Sequence, residues 1–242
     1  MFNKKINTIE DVFKSETKDR ALILNIIICI VAFLIFYFAP SIFYAITYAI
    51  TKHQMLSETL GRIIAIVLIA LLFYKDLIKE VKELKNKIGS KIGTSFKYYG
   101  IGLGIMMFSN LILLILFKDI STNETQVREL LLSNPIPMMF TISILAPLIE
   151  ELAFRKSLSP LFKSKWIFAL VSGALFGLGH LMVDFTSGSF QIYKLLYLIP
   201  YGSLGFSFAL MNRDNNTTFS SILIHCMHNF LTGLLILSQG GL

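Results

Sequence analysis

Three pairs of residues in this chain stand four apart: Glu151 with Arg155 (Glu150 directly precedes them), Phe176 with His180, and His225 with Asn229. On a helix that interval brings both members to one face. Arg155 can therefore pair with Glu151, while Glu150, about 100° round the helix, is left for other work. His225 and Asn229 present an imidazole beside a carboxamide that can donate a hydrogen bond. A carboxylate and histidines aimed at one water can draw a proton from it, and a His/Asn pair can stabilise the oxyanion of a tetrahedral intermediate. That is equipment for hydrolysing a peptide bond. Glu150, His180 and His225 also suit a divalent metal such as zinc, since imidazole and carboxylate both ligate it. The residues alone leave metal-dependent and metal-free chemistry open.

These groups must be positioned inside a membrane. The apolar run from Ile136 to Ile149 is too short to cross a bilayer, which needs roughly 20 residues. A spanning helix has to run on through Glu150, Glu151 and Arg155. A charge near the bilayer centre costs from about 3 to more than 10 kcal/mol, so an ionisable residue there is a functional candidate by default. His180, His225 and His228 also fall on apolar segments. Counting about 1.5 Å per residue from the flanking loops puts Glu150, Glu151 and His225 roughly 10 to 15 Å deep and His180 deeper, so a bundle can gather them round one cavity.

The chain of 242 residues is 55% hydrophobic and holds 21 Phe against one Trp, which marks a polytopic membrane protein. Candidate spans are Ala21 to Ile50, Ser57 to Tyr74, Tyr99 to Phe117, Ile136 to Arg155, Trp166 to Asp184, Leu195 to Met211 and Phe219 to Leu237. The expected fold is all-α, a single integral-membrane domain over 1–242 with about seven transmembrane helices. Seventeen of the 22 Lys and Arg precede span one, lie between spans two and three, or follow spans four and six. The positive-inside rule makes that side cytoplasmic, with the N-terminus inside. The net charge of +7 is then a topology signal, and nucleic acid is not an expected partner. The first twenty residues mix acids with bases and lead into no cleavage site, so they are expected to stay in the mature protein. Cys29 and Cys226 both sit in spans and indicate no disulfide framework.

Two further segments carry expectations. Residues 75–94 read as a basic amphipathic stretch, with Leu77, Ile78, Val81, Leu84 and Ile88 at helical spacing opposite lysines; it either lies on an anionic leaflet or extends span two as an anchor. Ser121 to Pro135 reads as the longest outer loop. Taken singly, a Glu-Glu pair at a helix end is an interface anchor and a lone intramembrane His or Asn is a packing residue. His228, on a different face from His225 and Asn229, is assigned to packing, as are Cys226 and Met227. Pro147 lacks an N–H and should free the carbonyl of Ser143, while Gly173, Gly177 and Gly179 should let another backbone approach closely.

The ordered set Glu150-Glu151-x-x-x-Arg155, Phe176-x-x-x-His180 and His225-x-x-x-Asn229 resembles the CAAX prenyl protease and bacteriocin-processing (Abi) family of intramembrane endopeptidases over roughly residues 120–240. The resemblance implies that Glu150 activates water with help from His180, that His225 and Asn229 polarise the scissile carbonyl, and that Glu151 and Arg155 orient them. Members of that family are described both as metal-dependent and as metal-free. Bacterial members act in peptide maturation, bacteriocin self-immunity or signalling, and the Ile-, Lys-, Asn- and Phe-rich composition hints at a bacterial source. The expected substrate is a bacterial peptide or membrane protein in the cell membrane. The competing expectation is a non-catalytic immunity or scaffold protein that acts by binding; a coupled transporter lacks its usual inverted repeats.

Overall fold

The computed structural model describes residues 9–86, 88–186 and 190–240. Lys4, Lys5 and Lys87 of the charge pattern, and the side chains of Leu84 and Ile88 in the amphipathic stretch, lie outside the described residues. Among those described there is no strand. The protein is an all-α, multi-pass bundle, and seven of its helical segments are long and apolar enough to cross a membrane. They run Ala21–Thr51, Gln54–Leu72, Lys91–Phe117, Pro135–Leu161, Lys165–Thr186, Ile192–Asn215 and Thr218–Gln239, each overlapping a span expected from the sequence, with the third starting about two turns before Tyr99 and the fourth running on past Arg155.

The elements are α1 (Ile9–Thr51), α2 (Gln54–Leu72), α3 (Tyr74–Asn86), α4 (Ile88–Phe117) and α5 (Thr122–Ser133). The fourth span is built from α6 (Pro135–Phe140), a π-helical turn (Thr141–Leu145), α7 (Ala146–Glu151) and a second π-helical turn (Leu152–Lys156). Then come α8 (Lys165–Thr186), a 3₁₀ turn (Ile192–Tyr197), α9 (Leu198–Asn215) and α10 (Thr218–Gln239). The second span begins earlier than its apolar run because His53 caps it, Nδ1 accepting from the Leu56 N–H at 3.3 Å.

Two expectations are corrected here. The 121–135 stretch is no loop but contains α5, which Ser121 starts by accepting the Glu124 N–H on its hydroxyl at 3.1 Å. Ser121-x-x-Glu124 is half of a capping box, and Glu124 pairs with Arg128 one turn on at 2.8 Å. The 75–94 stretch divides between α3 and the start of α4, so only its first part is a separate amphipathic helix.

Helix α9 is the centre of the bundle, packed on α8 and on α4, while α1 packs on α2. At Gly173 in α8 a Cβ atom would stand 2.7 Å from the Gly202 carbonyl oxygen and 2.8 Å from the Phe206 nitrogen of α9. The two backbones touch because neither helix has a side chain there. Gly177 makes the same approach, toward Leu198 and Gly202, but Gly179 instead faces the side chains of Phe154 and Tyr37. This contact brings the His180 helix against α9, and α9 in turn supplies the aromatic walls of the site.

Candidate active site

The turn that bears both glutamates lies between two π-helical turns, a feature common at functional sites. In the first, the Ala146 N–H bonds Thr141 O in the wide i+5 register. The next carbonyl, Ile142, then faces Pro147, which has no hydrogen to give. Asn229 fills the gap: its Nδ2 donates to Ile142 O at 2.8 Å. The expectation that Pro147 frees Ser143 assumed α-helical register, and the wide turn moves the freed carbonyl back by one residue. One of the two Asn229 N–H bonds is thus spent on the fourth span, and one remains. Losing the carboxamide should leave a half-buried carbonyl without its partner, at about 1 kcal/mol. Asn229→Ala is therefore expected to melt earlier in detergent, and Pro147→Ala, which supplies an N–H, should restore part of that loss.

Glu151 ties the fourth span to α10. Its Oε2 lies 3.2 Å from Arg155 Nε, both side chains being 0% exposed, and its Oε1 lies 3.0 Å from His225 Nδ1. The Arg155 guanidinium also donates through Nη2 to Gly205 O at 3.3 Å and sits over the rings of Phe176 (4.5 Å) and Phe208 (5.5 Å). On the other edge of the imidazole, His225 Nε2 stands 3.7 Å from Glu150 Oε2. That separation exceeds a hydrogen bond and leaves both atoms within reach of one water beside them. His180 places Nδ1 2.9 Å from the Phe176 carbonyl. Since the partners of both Nδ1 atoms are acceptors, each histidine in its neutral form carries its hydrogen on Nδ1 and offers Nε2 as the basic nitrogen.

Rings fix the orientation of both imidazoles. His225 stacks on Phe208, with centroids 4.8 Å apart, and meets Phe176 edge-on at 5.7 Å. His180 lies between Phe176 at 4.4 Å and Tyr201 at 4.5 Å. Phe176 thus touches His180, His225 and Arg155 together. His228 is elsewhere, with Nδ1 3.2 Å from the Tyr99 hydroxyl, in keeping with its assignment to packing. Tyr201, Phe208 and Gly205 were not singled out from the sequence, because α9 carries no acid or histidine on its spanning face. The visible signal was Tyr193, Tyr197 and Tyr201 at four-residue intervals.

Those three tyrosines grip the strap before α5. Tyr193 and Tyr197 donate to Asp119 Oδ2 (2.6 Å) and Asp119 O (2.7 Å), and the Tyr201 hydroxyl bonds the Ser121 hydroxyl at 2.5 Å. Lys194 bridges Thr122 (2.6 Å) and the buried Asp184 (2.9 Å), one turn past His180, and the Thr122 hydroxyl donates to Asp184 itself. Between the first π-helical turn and α10 there is also a cavity of about 400 Å³, lined by Met139, Phe140, Ile144, Met227, Phe230 and, on its polar edges, Ser143 and Cys226.

Among the described residues no three His, Cys, Asp or Glu side chains are grouped to hold a metal ion. Glu151 and His225 Nδ1 are committed to each other, and Glu150 with His225 Nε2 offers two donors. This arrangement does not fit a three-ligand protein site, and the chemistry below uses the chain's own groups.

With this geometry in view, comparison with known proteins gives one family match: residues 132–231 are similar to the type II CAAX prenyl endopeptidase Rce1-like family. The chain carries an Rce1-like segment. All seven residues of the three motifs fall inside it. A Bacillus subtilis (strain 168) protein named "Putative membrane peptidase YdiL" is 28% identical over 174 residues, a match covering 69% of this chain and 66% of that protein. No solved structure matches.

Proposed function

We propose that the protein is an intramembrane endopeptidase that hydrolyses a peptide bond with a water held between Glu150 Oε2 and His225 Nε2. The observation that carries this reading is the 3.7 Å gap between those two atoms, with Glu151 and Arg155 fixing the far side of the imidazole. The water gives one hydrogen to each group, and Glu150 removes its proton as the oxygen attacks the scissile carbonyl. The tetrahedral oxyanion takes a hydrogen bond from the remaining Asn229 N–H. Glu150 then returns the proton to the leaving nitrogen as the C–N bond breaks. His180, clamped by Phe176 and Tyr201, offers a second basic nitrogen for positioning water. Apolar substrate residues fit the cavity beside Ser143 and Cys226.

In this reading the N-terminus is cytoplasmic, since 17 of the 22 Lys and Arg lie on its side. The substrate is a bacterial peptide or membrane protein, with peptide maturation, self-immunity or signalling as the role. Peptide profiles of cells carrying wild-type or Glu150→Ala protein at matched abundance test it. A precursor that accumulates only with the variant, and is cut by purified wild-type protein, supports hydrolysis. Identical profiles with an unchanged phenotype would favour a binding protein instead.

A further inference from the structure

Helix α3 sorts its described side chains into three sectors. Leu77 and Glu80 turn toward the bundle, with the exposed Asp76 at the edge of this sector. Leu77 packs on the cluster formed by Ala65, Ile69 and Phe73, while Asp76 and Glu80 stand 3.5 Å and 2.6 Å from Lys156 Nζ. Glu80 also accepts from the Thr218 N–H at 2.6 Å and the Thr217 hydroxyl at 3.1 Å, closing the first turn of α10. A second sector holds Tyr74, Ile78 and Val81, which at helical spacing are 50%, 52% and 42% exposed. The third holds Lys75, Lys79 and Lys82, all exposed.

Glu80 faces inward while these three bases are exposed, so the outer surface of α3 is apolar on one side and, on the other, carries three bases beside the exposed carboxylate of Asp76. Water alone would leave Tyr74, Ile78 and Val81 uncovered, and hydrocarbon alone would desolvate the charged sector. A lipid headgroup boundary satisfies both sectors at once, and an anionic one matches the charge. The same side of the bundle carries most of the lysines and arginines of the chain.

We propose that α3 is a docking surface for an anionic bilayer, with Tyr74, Ile78 and Val81 sunk to the edge of the acyl chains and Lys75, Lys79 and Lys82 on lipid phosphates. Through Glu80 the docked helix holds the end of α10, two turns before His225. The interaction is electrostatic in its lipid selectivity and so weakens with salt. It does not depend on the protein being a protease.

The test uses the full chain with Cys29→Ala and Cys226→Ala, a polarity-sensitive fluorophore on Ile78→Cys, and vesicles of phosphatidylcholine alone or with about a third phosphatidylglycerol. The expected result is a blue-shifted emission, quenched by spin-labelled lipid about twofold or more strongly in the anionic vesicles. Lys75→Gln, Lys79→Gln and Lys82→Gln together should abolish that difference while leaving the melting temperature unchanged. A label that stays in water in both vesicles, open to iodide, overturns the docking. Equal lipid burial in both vesicles, with or without the lysines, overturns the anionic partner in favour of a plain apolar anchor. Should the Ile78→Cys protein fail to fold, Val81→Cys reports on the same sector.

Discussion

Glu150→Gln is expected to lower turnover by about 10²–10⁴-fold, the range that a positioned general base contributes, while the protein stays folded. The two halves of that result have separate causes. Glutamine keeps the size of the side chain but cannot accept a proton from water at neutral pH. Glu150 is 16% exposed and stands 3.7 Å from the His225 imidazole, beyond a tight ion pair, so neutralising it strips no such pair from the core. The measurement is the rate of cleavage of the accumulating precursor by purified variant and wild-type protein in the same vesicles, beside their melting curves. Loss of activity with an unchanged melt supports Glu150 as the base. Retention of more than about a tenth of the rate would remove it from that role.

Arg155→Ala should instead unfold the protein. It leaves the Glu151 carboxylate at 0% exposure without its cation, a change that costs about 3–5 kcal/mol in a buried pair. It also removes the guanidinium from Phe176 and Phe208 and its hydrogen bond to Gly205, so α7, α8 and α9 lose a common contact. Against total stabilities of about 5–15 kcal/mol that is a large share. Glu151→Gln with Arg155→Met removes both charges, and a buried pair replaced by well-packed neutral groups is often no less stable. The double variant is therefore expected to melt well above Arg155→Ala. It should still be slow, because the full charge behind His225 Nδ1 is gone. A double variant no more stable than the single would mean that packing, and not charge, sets the cost.

The spans were legible because apolar length and lysine asymmetry report the same crossings. The pairing of Glu151 with Arg155 was legible because both lie on one helix. What His225 bonds was not: a four-residue interval shows that His225 and Asn229 share a face, but not which helix lies opposite. The structure divides the two, His225 going to Glu151 and Asn229 to Ile142. The Asn229 partner follows from a wide helical turn that leaves no mark in hydrophobic period, and only Pro147 hinted at it. Tyr201 and Phe208 were hidden for another reason, since in a span every aromatic reads first as packing. The capping signal at Ser121 was present and points to α5, yet the polar composition of that stretch outweighed it.

The tyrosine ladder that runs from the 3₁₀ turn into α9 has a mechanical consequence. Asp119, Ser121 and Thr122 are tied by Tyr193, Tyr197, Tyr201, Lys194 and Asp184. The ring that ends this ladder is also the ring that clamps His180. Freeing any single rung gains the strap little conformational freedom, because its neighbours still hold it, so the rungs release together or not at all. Unlatching the strap and loosening the histidine are then one cooperative motion, and the His180 geometry persists for as long as that end of the bundle stays shut.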